Sequence, residues 1–248
     1  MTDARIRISR RALIGGLASS AGLLLSGCNE EPPTYGNLLR MGDNLTYSAQ
    51  RLLLSRTSLA REYDRAEITS MPAIGTVDPT QGKAGDQYAA VMRGDFADWR
   101  LEVVGSVGQP KSFSLADLKR MKSRTQVTRH MCEEGWTAIA EWTGVPLGAV
   151  LEAVAIRPAA RFVEFHSFDG LADSVDLVDA FHPQTILAYG MNGRDLPIPH
   201  GAPLRLRVER QIGYKSLKFL RRIVVADRFN DFGKTGSIQN GWAWHVGI

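Results

Sequence analysis

The chain has 248 residues, 44% hydrophobic and 23% charged, which excludes disordered and fibrous classes and leaves room for a large core. Four arginines against one aspartate in residues 1–27 account for +3 of the formal charge of +4, so the remainder is nearly neutral. A body balanced in this way lacks the basic footprint of a nucleic-acid binder, and no nucleic-acid partner is expected.

The first segment reads as an address. Arg5, Arg7, Arg10 and Arg11 precede an apolar stretch over residues 12–25. That stretch is shorter than the roughly 20 apolar residues a membrane-spanning helix requires. It fits a cleavable export signal, and Ser9-Arg10-Arg11-Ala12-Leu13-Ile14 resembles the twin-arginine type, which exports folded proteins. Leu25-Ser26-Gly27-Cys28 resembles a bacterial lipoprotein box, in which Cys28 becomes the acylated N-terminal residue. The expected division is a signal over 1–27, a tether and helical lead-in over 28–68, and one further domain over 69–248. Pro32 and Pro33 suit an extended tether. An exported, periplasmic protein anchored to a membrane by lipid follows.

Beyond the tether, Leu45, Ala49, Leu52, Leu53, Leu59 and Tyr63 recur at near-helical spacing, predicting a helix over 44–63 with Asn44 as its N-cap. Residues 69–87 carry Gly, Pro, Asp and Thr and read as a long ordered loop. Trp99, Leu101 and Val103 alternate as a strand, and residues 105–110 turn the chain. Ser114 caps a short helix, residues 125–132 form a strand entering a loop, and residues 145–154 form an amphipathic helix. Residues 162–168 are strand-like, and Asn192-Gly193 marks a hairpin of type I′ geometry. Leu204, Leu206 and Val208 alternate, and residues 219–226 form a last apolar strand. Strands and short helices mix without a βαβ rhythm, which points to an α+β fold with a mixed sheet.

Several chemistries are excluded by the absence of their motifs. There is no G-x-G-x-x-G, H-E-x-x-H, C-x-x-C or G-x-S-x-G, and Gly233-Lys234-Thr235 lacks the first glycine of a phosphate loop. The only cysteines are Cys28 and Cys132, so acylation of Cys28 leaves Cys132 without a disulfide partner. A lone thiol in an oxidising compartment is either a buried hydrophobe, a nucleophile, or a ligand capped by metal.

Thr128-Arg129-His130-Met131-Cys132-Glu133-Glu134-Gly135-Trp136 resembles the cofactor loop of the sulfite oxidase superfamily. The resemblance is strongest to its periplasmic protein-methionine-sulfoxide reductase branch. Trp142-Thr143-Gly144-Val145-Pro146-Leu147, His200-Gly201-Ala202-Pro203-Leu204-Arg205 and Gly213-Tyr214-Lys215-Ser216-Leu217-Lys218 follow in that family's order, over residues 99–226. The resemblance implies a sulfite-oxidase-type domain with Mo-molybdopterin as cofactor. It implies molybdenum ligation by Cys132, a soft thiolate suited to that metal. Arg205 and Lys218 are then expected at the pterin phosphate with Ser216, and His200 at the pterin. His130, on the same strand face as Cys132, either orients the cofactor or fills the core.

Cys132 and Glu134 are the expected catalytic residues. Sulfite oxidases proper follow the cysteine with arginines, whereas acids and an indole follow here, which favours a neutral S-oxide or N-oxide, small or protein-bound, over sulfite. Oxidation of a small sulfur substrate is the alternative within this chemistry, and a metal-free, lipid-anchored binding module the alternative outside it. No haem-attachment motif is present, so electrons come from a partner, which the family implies is a membrane b-type haem subunit.

Overall fold

The computed structural model describes residues 41–248. The expected signal, Cys28 and the Pro32-Pro33 tether lie outside the described residues. Among the described residues no helix is long and apolar enough to cross a membrane.

Helix α1 (Met41–Leu53) opens the described chain. It ends ten residues before the predicted helix does, Asn44 lies inside it, and Leu45, Leu52 and Leu53 are exposed. Polar side chains fasten it instead. The Tyr47 hydroxyl donates to Asp176 at 2.7 Å, and Arg51 donates to Asp176 at 2.9 Å and Asp179 at 2.7 Å. Residues 69–87, expected as a loop throughout, contain helical structure in their second half. A 3-10 turn at Pro79–Gln81 leads into helix α2 (Gly85–Arg93), whose Tyr88 is fully buried.

Among the described residues ten strands then build two sheets. Strands β1 (Arg100–Gly105) and β2 (Lys111–Ser114) precede helix α3 (Leu115–Arg120), which Ser114 caps as predicted by accepting from Asp117 N–H at 3.1 Å. Strands β3 (Arg124–Met131) and β4 (Thr137–Pro146) form a hairpin, and helix α4 (Leu147–Ala153) follows. Next come β5 (Phe162–Ser167), β6 (Ala172–Asp176) and helix α5 (Leu177–Ala180). Strands β7 (Ile186–Met191), β8 (Arg194–Asp195), β9 (Arg205–Arg207) and β10 (Leu220–Ala226) complete the set.

One sheet runs β2-β1-β10-β5-β6, with β1 and β10 parallel and its other pairs antiparallel. The other runs β3-β4-β7-β8, with β9 also paired to β7. This is the mixed-sheet α+β architecture that the sequence implied. Alternation drives the layering. Leu101 and Val103 of β1, Val163 and Phe165 of β5, and Leu206 of β9 enter one continuous core that also takes Leu187 of β7. On its other face β7 sends Ile186 and Ala188 into a smaller cluster around Trp142. The Asn192-Gly193 turn has φ of 51° and 75°, the double positive φ that type I′ geometry requires.

Candidate functional site

The β3–β4 hairpin delivers Cys132. Its turn is tight because Cys132 N–H donates to Trp136 at 2.9 Å and Gly135 N–H donates to Cys132 at 3.1 Å. Gly135 sits at φ 90°, where a side chain would be strained. The thiol is buried at the edge of an open cleft. Glu134 N–H donates to Sγ at 3.5 Å, and Glu133 Oε2 lies 3.7 Å from it. Burial, with the two neighbouring carboxylates, pushes the free thiol up to about 11. A bound cation would reverse that balance, since a coordinating thiol is deprotonated.

The cleft gathers the residues singled out from sequence. His130, Cys132, His200, Arg205, Ser216 and Lys218 all line it, although four strand or loop segments supply them. Glu134 does not line it. Its carboxylate is exposed and accepts from the Trp136 indole at 3.1 Å, while Glu133 occupies the cleft wall. Cys28 lies outside the described residues.

Arg205 stands at the floor, buried, and donates to the carbonyls of His200 and Ser216, each at 2.9 Å. Its buried Nε has no hydrogen-bond partner. Burial, and then the charge of Arg207, pulls this guanidinium down to about 9. Lys218 donates to the carbonyls of Ile74 at 2.8 Å and Pro199 at 3.0 Å, and to that of Thr76. Burial, and then Arg205, pulls its ammonium down to about 8. Burial also lowers His200, with the same two cations adding to the effect. The Ser216 hydroxyl accepts from Val208 N–H at 3.3 Å.

Sequence reasoning missed four elements of the site. Arg207, fully buried, donates to Nδ1 of His130 at 2.9 Å and makes a bidentate pair with Glu209. Since guanidinium only donates, the neutral His130 ring carries its proton on Nε2. Burial, then Arg207 and Arg205, pulls His130 down to about 2, so it stays neutral at physiological pH. The signal for Arg207 was present in the sequence: with Arg205 it forms an i, i+2 pair on one strand face, and both cations lie over the Trp142 ring at 4.9 and 4.5 Å. The loop at Ile74-Gly75-Thr76, left without a role in the sequence reading, forms another wall, and Asp169 joins it. Gly213 is the fourth element. A Cβ there would fall 2.6 Å from His130 Nε2, so only glycine lets this backbone cover the imidazole.

These features fit an anionic pterin with a soft metal. The donor set combines a thiol with two cations whose depressed proton affinity marks uncancelled buried charge, and one of them keeps an orphaned N–H. The comparisons with known proteins agree. The chain matches the oxidoreductase molybdopterin binding domain family over residues 88–232. It is 33% identical over 227 residues to the putative protein-methionine-sulfoxide reductase subunit YedZ1 of Azospira oryzae, covering 91% of this chain and 81% of that protein. It is 32% identical over 250 residues to the protein-methionine-sulfoxide reductase catalytic subunit MsrP of Xanthomonas axonopodis pv. citri, covering 92% and 73%. Among solved structures, the sulfane dehydrogenase SoxCD of Paracoccus pantotrophus shares the fold at TM-score 0.53 and 23% identity, over 57% of this chain and 42% of that one. The protein therefore belongs to the oxidoreductase molybdopterin-binding family of the sulfite oxidase superfamily, and is an oxidoreductase that uses Mo-molybdopterin.

Proposed function

We propose that this enzyme reduces neutral S-oxides, with protein-bound methionine sulfoxide as the substrate class, at a molybdenum held by Cys132. The observation that carries this reading is the surroundings of the thiol. Glu133 lies 3.7 Å from Sγ, and the indole of Trp136 lines the same cleft. A carboxylate there repels anionic sulfite, and an aromatic wall accepts a thioether oxide. The relatives named as protein-methionine-sulfoxide reductases support the same direction.

When bound, the cofactor supplies the two-electron oxygen-atom exchange. The chain supplies placement. Arg205 and Lys218 meet the pterin phosphate together with Ser216. His200 contacts the pterin, and His130, its proton fixed on Nε2, presents a donor whose orientation Arg207 sets. Trp136 excludes water beside the metal, and Glu134 holds that indole in place. Residues 69–248 form the catalytic domain. The twin-arginine signal over 1–27 exports it already folded, and acylated Cys28 with the segment to residue 68 tethers it to the periplasmic face of a membrane. A membrane b-type haem subunit delivers the electrons.

Purified holoenzyme with a reduced dye as donor tests this reading. Dimethyl sulfoxide should be reduced, and Cys132→Ser should lose both turnover and the sulfur-to-molybdenum charge-transfer absorption. Faster oxidation of sulfite than reduction of S-oxide would overturn the direction, and stable protein purified without metal would favour a binding module.

A further inference from the structure

Beside the cleft lies a second hollow of about 830 Å³ of open space. Glu133, Leu171, Tyr214 and Leu217 line both, so the two hollows share a wall and run into one another next to Cys132. The far side of the second hollow belongs to the C-terminal segment, through Ser237, Asn240 and Trp242. A small S-oxide needs only the space beside the thiol, which leaves this hollow without a role in its reduction.

The lining has the chemistry of a peptide-binding surface. Trp242 is 40% exposed and Leu171 is 47% exposed, two large apolar surfaces facing water, Leu171 on the wall shared with the cleft and Trp242 across the second hollow. The ledge is built rather than loose. The rings of Tyr214 and Trp242 stack with centroids 5.7 Å apart and planes 23° apart, and the Tyr214 hydroxyl donates to the Ala243 carbonyl. Ser237 adds a buried hydroxyl that has no hydrogen-bond partner. An apolar ledge with one unsatisfied polar group suits a main chain carrying an apolar side chain, where the hydroxyl pairs with a backbone group.

We propose that this hollow is a docking subsite for the polypeptide flanking an oxidised methionine. The neighbouring apolar residue of the substrate rests on the Tyr214–Trp242 ledge and Leu171, its backbone meets Ser237, and the sulfoxide side chain passes Glu133 to reach Cys132. The inference rests on the S-oxide reading above and names the part of the substrate recognised away from sulfur. The subsite acts in binding alone, so it governs KM for peptides and leaves small S-oxides indifferent.

The test uses the full-length holoenzyme with a dye donor and two substrates, dimethyl sulfoxide and a short peptide with methionine sulfoxide between leucines. Trp242→Ala should raise the peptide KM by about tenfold at unchanged kcat, the loss of one buried aromatic contact, and leave both constants for dimethyl sulfoxide as they were. Trp242→Phe keeps an aromatic face and should restore the peptide KM. An unchanged peptide KM overturns the subsite, and so does an equal change for both substrates, which would mark a disturbed cleft. Wild-type enzyme that reduces neither substrate overturns the S-oxide reading itself, a result distinguishable from the other two.

Discussion

Replacing Arg207 by Met isolates the buried pair that supports His130. Arg207 is 1% exposed and Glu209 3% exposed. The guanidinium donates to Glu209 at 3.0 and 2.7 Å and to His130 Nδ1 at 2.9 Å, while Gln126 Nε2 gives Glu209 one further bond at 3.0 Å. Methionine keeps an apolar stem but removes the guanidinium over Trp142 and leaves Glu209 as a buried carboxylate with only the Gln126 amide. Removing one member of a buried ion pair costs about 3–5 kcal/mol. The stranded His130 acceptor adds a penalty of about 1–3 kcal/mol that overlaps with the first rather than summing with it. The expected loss in a denaturant titration is therefore about 3–5 kcal/mol, measured at matched cofactor content because bound ligand itself stabilises. Adding Glu209→Leu removes the stranded charge, so the double variant should regain most of the loss. A single-variant loss below about 1 kcal/mol, or a double variant no better than the single, would refute this reasoning.

Gly213→Ala would place a methyl 2.6 Å from His130 Nε2 and 2.9 Å from the Met131 carbonyl oxygen, so it should lower stability by about 1–3 kcal/mol and reduce molybdenum content. Wild-type values for both quantities would show that the backbone yields. Arg205→Ala should lower cofactor affinity by roughly 10–150-fold, the worth of a charge-assisted bond, whereas exposed Arg161→Ala should not. Equal molybdenum content in the two variants under limiting cofactor would contradict the phosphate assignment. Burial holds His245 down to about 3 even though Asp179 opposes it, so the unfolded chain binds the extra proton between about pH 6.5 and pH 3. Its contribution is complete above pH 6.5 and declines as pH falls through that window, by up to about 1.4 kcal/mol per pH unit. His245→Gln should flatten the acid limb of the stability profile, and an unchanged slope would count against it.

What could be read from sequence followed local rules, and what could not depended on distant partners. Alternation located β1 correctly because its buried residues, Leu101 and Val103, answer to one face of one sheet. The Asn192-Gly193 turn was legible because positive φ is a local demand. Helix α1 was misjudged because its leucines mimic an inward stripe, while Tyr47 and Arg51 do the anchoring through carboxylates 129 and 125 residues away. Strand β6 escaped notice for the same reason. Three of the five residues of Ala172-Asp173-Ser174-Val175-Asp176 are polar, yet all five are buried. Lys215 neutralises Asp173 at 2.6 Å and Arg51 neutralises Asp176 at 2.8 Å, pairings that no window of sequence reveals. In the cleft, the motif order pointed to Arg205 and Lys218, and it pointed to Glu134 where the fold presents Glu133.

Arg205 and Arg207 differ in how their buried charge is matched, and the proposed phosphate role rests on that difference. Both are buried, both sit over Trp142, and only two positions separate them. Arg207 has its charge matched by Glu209 at 2.7 Å. Among the described residues Arg205 and Lys218 make no ion pair within 4 Å, and they spend their hydrogen bonds on carbonyls of the loops around residues 74–76, 199–200 and 216. Those bonds hold the cleft walls in place but leave net positive charge in a poorly solvated floor. Burial raises the Asp169 carboxyl on the same wall above the ordinary carboxylate range, and its charge offsets only part of the depression at Lys218. A buried charge without a full counter-charge is unfavourable until an anion arrives, which is what the proposed phosphate role of Arg205 and Lys218 requires. Binding would raise the proton affinity of both cations back toward their ordinary values. Arg207, already matched, has no such charge to offer.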